Sequence, residues 1–573
     1  MRNAARRQSS QWRAKVGLMA ERMYDAIVVG SGAAGSTAVK ELTERGMNVL
    51  LLEAGPYLGP EDFKLPPEGA AEEKEIDSLG RIRAAIHGQY IQARATFFNE
   101  RQSHLFVNDR LNPYTAPRDN FFLWLRGRQL GGRLHSYGRV LFRMSDYDFK
   151  AASRDGLGFD WPISYGDIEP YYDRIEEFLG VFGTADGLPQ LPDGKYVKAP
   201  RLTRLEEEFK ARIESAWPDR KVINWRYAAP NLKRIPLGIQ AAMVTGRLEI
   251  RADAVVRQIT IDPQTGKARG VTYIDRNTRQ EHTVSGNVVV LCASAIESLR
   301  LLLHSACAEH PEGVGNSSGL LGRYFMDQTT SVIFGSVPGS AGWECDDSVP
   351  QDPYYPPAGG FYIPRFQNLD RQTHPNIARG FAYQGVIGRG FVPEGHASTF
   401  GMMGFGETLP QRENCITLNH RRKDAWGVPV AHIRCAVGEH EKELMREQVR
   451  CSREMVAQCG YEVEFAGSAL GLDNPREAMK EEDWLNRWLF RRSFKKSLAM
   501  GSAIHECGGA RMGDDPATSV LNPYNQCWDV KNLFVTDASC FVSNGNAGPA
   551  LTIMALTARA CDYLAREYSR GNL

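Results

Sequence analysis

The chain has 573 residues, 42% of them hydrophobic, and a formal net charge of +1 at pH 7. This length predicts more than one domain, and the small net charge gives no general attraction to nucleic acid or to a membrane surface. The eleven cysteines contain no CxxC pair, so we expect reduced, packed thiols and a cytoplasmic protein. No apolar run approaches the roughly 20 residues of a membrane span.

The first 23 residues form a basic tail. It carries six arginines and lysines but lacks the apolar stretch of a signal peptide. We therefore predict a solvated or loosely helical tail. The pair Arg6-Arg7 leaves export, together with a partner subunit, as the alternative.

Residues 24–55 predict a complete β-α-β nucleotide-binding unit. A buried strand at 26–29 leads into Gly30-Ser-Gly32-Ala-Ala-Gly35 and a helix, and a second strand at 48–52 ends in Glu53. Such glycines allow the tight turn, the approach of backbone to a pyrophosphate and the packing of helix on strand. Glu53 is placed to accept hydrogen bonds from an adenosine ribose. The alternative is a glycine-rich turn that binds no nucleotide.

A second glycine-rich loop lies at residues 125–138. It places three arginines around Gly131-Gly132, so that backbone can approach a flat or anionic ligand. The alternative is an ordinary turn with solvated arginines. His135 could attach covalently to a flavin, although a polar loop histidine is the favoured interpretation.

The middle of the chain contains three distinct patterns. Residues 148–193 predict a helical segment that covers the surface. Residues 247–292 predict a β-meander that returns to a buried strand, and a helix at 295–304 then leads back to the nucleotide-binding sheet. Residues 484–496 interleave aromatic with basic side chains. They predict a solvated amphipathic helix, with a membrane or partner surface as the alternative.

The last 73 residues concentrate the candidate chemistry. His505 lies in a glycine-rich loop, Asp537 ends a short buried strand, and a helix follows with Pro549 in its first turn. The HECGG sequence lacks the second histidine of a zinc HExxH motif, and no G-x-S-x-G elbow is present. We therefore predict neither a metal site nor a serine hydrolase.

Together these motifs resemble the glucose-methanol-choline (GMC) flavoprotein oxidoreductases over nearly the whole chain. The resemblance rests on VVGSGAAGSTAVKEL, RGRQLGGRLHSYGRV, GNSSGLLGRYFMDQ, HECGGARMG and GPALTIMALTARA. The pyranose oxidase and glucoside 3-dehydrogenase branch is the most similar, because of WPISYGDIEPYYDRIEEF and HECGGARMGDDPATSVLN.

The resemblance implies a two-domain α/β (α+β) fold. A Rossmann-like FAD-binding domain is assembled from separated segments, at 24–150, 236–327 and 500–573. Residues 151–235 then form a cap segment and residues 328–499 a substrate-binding domain with an antiparallel sheet and helices.

The resemblance also implies non-covalent FAD and the oxidation of an alcohol. His505 corresponds to the base that accepts the hydroxyl proton while the carbinol hydride passes to flavin N5. Glu407 resembles the carboxylate that orients an active-site imidazole or amide, with a surface carboxylate as the alternative. The expected cofactor contacts are Gly30, Gly32, Ala33, Ala34, Gly35, Glu53, Arg128, Gly131, Gly132, His135, Val256, Asp537, Ala538, Gly548 and Pro549.

The sequence departs from the family pattern at three places. Gly548 stands where relatives place an asparagine before the proline, so the second catalytic side chain is open, with Asn546 as the first choice and Asn544 as the second. Residues 232–246 lack a cysteine-rich insertion. Gln328 follows Met-Asp where histidine is common, which predicts a changed polar contact at the edge of the pocket.

The expected substrate is a sugar, a glycoside or a similar polyol. Residues 160–172 and 354–366, expected to cap the flavin, combine aromatic side chains with Asp and Arg, and sugar recognition needs apolar faces beside hydrogen-bonding groups. The electron acceptor is open between oxygen, a quinone and a small redox subunit. A lyase with structural FAD and a flavin-binding subunit without catalysis are the alternative functions.

Overall fold

A computed structural model describes residues 23–65, 78–96 and 98–573. The predicted basic tail, apart from Met23, lies outside these residues. The strands of the described residues, β1 to β20 in chain order, are Tyr24–Val29, Val49–Leu52, Val181–Phe182, Ile223–Asn224, Tyr227–Ala228, Leu248–Arg251, Ala254–Ile261, Ala268–Asp275, Glu281–Leu291, Arg323–Met326, Thr329–Ser336, Phe361–Ile363, Phe381–Ile387, Thr399–Gly406, Cys415–Lys423, Pro429–Arg434, Glu462–Ser468, Gly471–Leu472, Cys507–Gly509 and Leu533–Val535.

The α-helices of the same residues are numbered α1 to α11. They are Ala33–Glu44, Ser78–Ile86, Asp146–Phe149, Ala151–Asp155, Tyr165–Leu179, Arg204–Ala216, Leu237–Val244, Ala295–His304, Glu439–Gln458, Trp484–Ser497 and Ala550–Ser569. Short 3₁₀ turns lie at Pro60–Asp62, Gln92–Arg94, Ser103–Leu105, Gly132–His135 and Ala538–Cys540.

The nucleotide-binding sheet has β1 at its centre. Strand β1 pairs in parallel with β2 and β9, β2 pairs with β6, and β20 pairs with β9. Strands β7 and β8 continue the sheet as the predicted antiparallel meander. Both faces of β1 and β2 are covered, with α1, α7 and α11 packed together on one side, which is why these strands are apolar throughout.

The α/β fold with a Rossmann-like sheet is confirmed. The sheet draws its strands from three separated parts of the chain. The predicted strands at 26–29 and 48–52 and the helix at 295–304 are present. The exact domain boundaries stay a prediction.

The second large sheet is antiparallel, and it positions much of the site. Its order is β18-β17-β11-β14-β13-β12-β4. One face packs on α9, where Leu444 and Met455 join Ile333 and Met402 in a buried cluster. Since side chains alternate along a strand, the intervening residues of β11, β13 and β14 face the other way.

Two aromatic residues of the segment at 148–193 are deeply buried. Trp161 donates from Nε1 to Ser543 Oγ at 2.8 Å, and the Tyr172 and Thr552 hydroxyls are 2.8 Å apart. Both aromatic side chains are less than 2% exposed. The segment therefore packs on the closing part of the chain through these two side chains, and the predicted helix is present at Tyr165–Leu179.

All eleven cysteines lie within the described residues and are free thiols. Nine are buried, and only Cys345 is exposed. The nine buried cysteines agree with the prediction of packed thiols. In the part of the chain that the structure describes, no helix combines the length and the apolar character needed to cross a bilayer.

Candidate active site

A cavity of about 2290 Å³ is lined by both large sheets. Twelve of the fifteen predicted cofactor contacts line it, namely Gly30, Gly32, Ala33, Ala34, Glu53, Arg128, Gly132, Val256, Asp537, Ala538, Gly548 and Pro549. The remaining three, Gly35, Gly131 and His135, are not among its lining residues.

The first glycine loop has the shape of a dinucleotide cradle. Gly30 has φ +97°, and a Cβ there would overlap the carbonyl oxygen of Cys292. A Cβ on Gly35 would overlap the carbonyl oxygen of Gly30, whereas a Cβ on Gly32 would meet nothing within 4 Å. Gly30 and Gly35 therefore permit the turn and the helix packing, and Gly32 leaves open space beside the N-terminus of α1, where phosphates are favoured.

Glu53 joins the two glycine-rich loops through Ser31. The Ser31 hydroxyl donates to Glu53 Oε2 at 2.5 Å and accepts from the Gly131 backbone N–H at 2.8 Å. The other carboxylate oxygen accepts from the Gly55 N–H at 2.9 Å. Burial raises the pKa of Glu53, and these hydrogen bonds oppose that shift. The second loop thus lies directly against the first.

The cavity continues past a cluster of buried charges. Arg128 contacts Glu297 at 3.3 Å, and Glu297 also pairs with Arg300 at 3.0 Å. The two arginines hold the pKa of Glu297 at about 2 against the effect of its burial. On the neighbouring side, Asp537 accepts hydrogen bonds from Ser298 Oγ and from the backbone N–H of Ser539. Polar groups that suit a ribose and a pyrophosphate therefore line this end.

His135 is turned away from the cavity. Its Nε2 lies 2.8 Å from the Leu130 carbonyl oxygen, and the side chain is 7% exposed. Since a carbonyl oxygen only accepts, Nε2 carries a hydrogen and donates to it.

His505 also lines the cavity, and the second glycine-rich loop contacts its neighbour, since Arg133 Nη1 lies 2.6 Å from Glu506 Oε2. The His505 backbone N–H donates to Asp327 Oδ1 at 3.0 Å, and its ring lies 5.4 Å from the Phe405 ring. Burial, followed by the charge of Arg133, lowers the pKa of His505 to about 3. The imidazole is therefore neutral near pH 7.

Gln328 is the polar partner of the His505 ring. Its Oε1 lies 2.6 Å from His505 Nδ1. The departure from Met-Asp-His in the sequence marked this position, but nothing in the sequence indicated that its side chain reaches His505. The preceding Asp327 also accepts from the Gly501 N–H at 2.6 Å, so two consecutive residues hold the His505 loop.

Gly548 stands against the other side of the imidazole. A Cβ at this position would lie 3.5 Å from His505 Nε2, so the absence of a side chain leaves room beside that nitrogen. Gly548 and Pro549 directly precede α11. The N-terminus of α11 lines the cavity through Ala550 and Ile553, and its dipole places partial positive charge there.

Neither asparagine proposed as a second catalytic residue is among the lining residues of the cavity. Asn544 is 3% exposed and donates to Thr408 Oγ1 at 3.1 Å, while Asn546 is half-buried. The side-chain hydrogen bond of the His505 ring is made with Gln328 and not with either asparagine.

Glu407 pairs with arginines and not with the imidazole. It is fully buried, pairs with Arg379 at 2.6 Å and lies 3.8 Å from Arg365. Its partners are thus arginines, and the alternative of a surface carboxylate is wrong.

The antiparallel sheet supplies the floor of the other half of the cavity. The facing residues form cross-strand rows: Val332 with Met403 and Gln384, Phe334 with Gly401 and Val386, and Ser336 with Thr399. Phe405, next to His505, belongs to the same face. Apolar side chains therefore alternate with hydrogen-bonding groups along this floor.

The walls beside this floor differ from the predicted cap. Residues 160–172 contribute nothing to the lining, and residues 354–366 contribute Tyr355, Pro356, Pro357 and Ala358. Helix α10 forms another wall with Leu485, Asn486 and Leu489, while Trp484 and Trp488 are exposed. The predicted helix is confirmed, and it lines the cavity in addition to meeting solvent.

The fold and the first glycine-rich loop define a dinucleotide-binding protein. Two models described as GMC oxidoreductase match residues 239–329 and 410–557, and a model of an NAD(P)-binding Rossmann-like domain matches residues 28–61. These matches confirm the resemblance to the GMC oxidoreductases that the motifs indicated. Family and fold together imply a flavin cofactor.

Two characterised relatives match almost end to end. The chain is 28% identical to 2-methyl-1,2-propanediol dehydrogenase of Mycolicibacterium austroafricanum, over 95% of this chain and 96% of the relative. It is 24% identical to the fructose dehydrogenase large subunit of Gluconobacter japonicus, over 96% and 98%. Among solved structures, a point variant of the Aspergillus oryzae RIB40 formate oxidase superposes with a TM-score of 0.64 at 14% identity, covering 96% of this chain and 100% of that one, which supports the fold.

Proposed function

We propose that this protein oxidises an alcohol to a carbonyl compound with bound FAD, and that His505 is the base. The observation that carries the proposal is the position of the His505 imidazole at the wall of the cavity that also contains the dinucleotide cradle. An unprotonated imidazole within reach of a hydroxyl accepts its proton as the carbon–hydrogen bond breaks. Bound FAD supplies the hydride acceptor.

Other residues of the chain are proposed to bind the cofactor and to stabilise charge, while His505 accepts the proton. Gly30, Gly32 and the N-terminus of α1 would hold the pyrophosphate, and Glu53 would accept from the ribose. The N-terminus of α11 places partial positive charge at the cavity wall, which would stabilise negative charge on a reduced flavin. His505 Nε2, beside Gly548, takes the hydroxyl proton.

The cofactor is held without a covalent bond in this proposal. The support is the position of His135, which does not line the cavity and whose Nε2 already donates to the Leu130 carbonyl oxygen. Acid precipitation is expected to release yellow flavin into the supernatant. Colour that stays with the pellet would contradict non-covalent binding.

The proposed substrate is a polar polyol, with a sugar or glycoside as the first choice. Gln384, Ser336 and Thr399 offer hydrogen-bonding groups between apolar neighbours on the cavity floor, and sugars need both kinds of contact. The relatives named above, for a diol and for fructose, support a polyol. The acceptor is oxygen, a quinone or a small redox subunit, and we propose a cytoplasmic location.

An anaerobic panel tests this function. The enzyme is mixed without oxygen with sugars, glycosides, diols, choline and aliphatic or aryl alcohols, and flavin bleaching is followed. Among these compounds, a polyol is expected to reduce and so bleach the flavin fastest. Faster bleaching by aliphatic or aryl alcohols would contradict the substrate class, and no bleaching by any alcohol would contradict the oxidation itself and favour a lyase or a non-catalytic flavin protein.

A further inference from the structure

The side-chain amide of Gln328 is fixed in one orientation. Gln328 follows β10 and is 1% exposed. Its Nε2 faces three backbone carbonyl oxygens, those of Gly545 at 2.9 Å, Ala547 at 3.1 Å and Asn544 at 3.3 Å. Carbonyl oxygens only accept hydrogen bonds, so the end of the amide that meets them must be the NH₂ group. A flipped amide would bring its oxygen against three acceptors in a buried place.

This orientation determines which ring nitrogen of His505 carries the hydrogen. The other end of the amide, Gln328 Oε1, lies 2.6 Å from His505 Nδ1. An amide oxygen only accepts, so Nδ1 must donate. Burial lowers the pKa of His505 to about 3, and the neutral imidazole has a single N–H. The second nitrogen, Nε2, therefore carries a free lone pair.

That lone pair is on the side of the ring where the cavity has room. A Cβ on Gly548 would lie 3.5 Å from Nε2, and both His505 and Gly548 line the cavity. Gln328 itself does not line it. The glutamine therefore acts through the histidine, and not by contact with a substrate.

We propose that Gln328 is the positioning residue that selects the Nδ1–H tautomer of His505 and so presents Nε2 as the proton acceptor. Because an amide does not titrate, this selection is independent of pH. Asp327, the preceding residue, holds the backbone of the same loop, so the strand end fixes both the position and the tautomer of the base. The tautomer assignment is independent of the proposed function, and only its consequence for catalysis rests on that function.

Nitrogen-15 NMR of the FAD-loaded enzyme, labelled at histidine, tests the tautomer directly. The His505 signals are those that disappear in His505→Ala. In the wild type we expect a protonated Nδ1 and an unprotonated Nε2 near pH 7, and in Gln328→Leu a shift of the population towards Nε2–H. A protonated Nε2 in the wild type, or the same tautomer in both proteins, would overturn the proposal.

Single-turnover kinetics test the consequence. Gln328→Leu is expected to lower the limiting rate of anaerobic flavin reduction by about 10²- to 10⁴-fold, because loss of the correct tautomer disables a histidine base. The apparent substrate Kd and the FAD content are expected to stay within about twofold. Gln448, another buried glutamine, does not line the cavity, so Gln448→Leu is the matched control and is expected to reduce at the wild-type rate.

Gln328→Glu completes the series. Its protonated carboxyl group keeps an oxygen acceptor for Nδ1–H and one donor for the carbonyls, so we expect at least about a tenfold recovery of the rate lost in the leucine variant. An unchanged limiting rate in Gln328→Leu, with only FAD content or substrate Kd altered, would show a purely structural role. If no alcohol bleaches the wild-type flavin, the proposed function fails, while the NMR result still decides the tautomer.

Discussion

The two ends of the cavity are built in different ways. At the nucleotide end, one continuous stretch of chain supplies the strand, the loop, the helix and Glu53. Its geometry depends on glycines, because main-chain atoms lie where a Cβ would otherwise be. At the catalytic end, His505, Gln328 and Gly548 come from separate segments, and the geometry depends on side-chain hydrogen bonds. This difference predicts that added side-chain volume disrupts the folding or cofactor binding of the nucleotide end. Reversal of a single hydrogen bond is instead expected to disrupt the chemistry of the catalytic end.

The largest expected effect comes from glycine substitutions at the nucleotide end. In Gly35→Ala the new Cβ overlaps the carbonyl oxygen of Gly30, so we expect more than about 3 kcal/mol of destabilisation. In Gly32→Ala the Cβ meets no protein atom within 4 Å, and the φ of −71° suits alanine. We expect that variant to fold normally but to bind FAD at least about tenfold more weakly, or about 1.4 kcal/mol.

Thermal melts of the apoproteins, together with flavin titration, separate the two variants. Equal melting temperatures for the Gly35 and Gly32 variants would contradict the claim that Gly35, but not Gly32, is needed for packing of the fold.

A smaller effect is expected from Gly548→Ala at the catalytic end. The added methyl would lie 3.5 Å from His505 Nε2, an ordinary contact that the fold tolerates but that occupies the space of a substrate hydroxyl. We expect the limiting rate of flavin reduction to fall by about 10- to 100-fold, since small misplacements are costly in a near-attack geometry. Gly166→Ala, in the first turn of α5, is the control. Full activity in Gly548→Ala would place the hydroxyl elsewhere.

The smallest effect is expected on the cavity floor. Gln384→Leu removes a hydrogen-bonding group from the row that contains Val332 and Met403. We expect the apparent Kd of the best polyol to rise about tenfold, the equivalent of one lost hydrogen bond, with the limiting reduction rate within about twofold. A simple aliphatic alcohol serves as the internal control. A Kd that rises equally for both alcohols would argue against polyol recognition at this row.

The geometry of the nucleotide end could be predicted from the sequence because the β-α-β motif depends on residues that are close together in the chain. Gly30, Gly35 and Glu53 have their positions within one β-α-β unit, and the steric reasons for the two glycines are visible in the motif. His505 was marked by its glycine-rich loop, and the packed cysteines by their apolar surroundings.

The catalytic end was predicted less well because its partners meet only in the folded chain. Gln328 orients His505 only because three carbonyls of a distant loop receive its NH₂ group. Glu407 pairs with Arg379 and lies near Arg365. Trp161 and Tyr172, from the segment at residues 160–172, are buried against the closing part of the chain. The spacing of residues along the sequence does not indicate these long-range contacts. Only the structure therefore identifies the residue that orients His505 and the residues that form the cavity walls.

The most direct test of the account is the limiting rate of anaerobic flavin reduction in His505→Ala, measured with the best polyol near pH 7. The variant is expected to keep the wild-type flavin spectrum and to lose about 10²- to 10⁴-fold in rate, because the neutral imidazole is the proton acceptor. Reduction at the wild-type rate by a fully flavin-loaded His505→Ala would contradict the account.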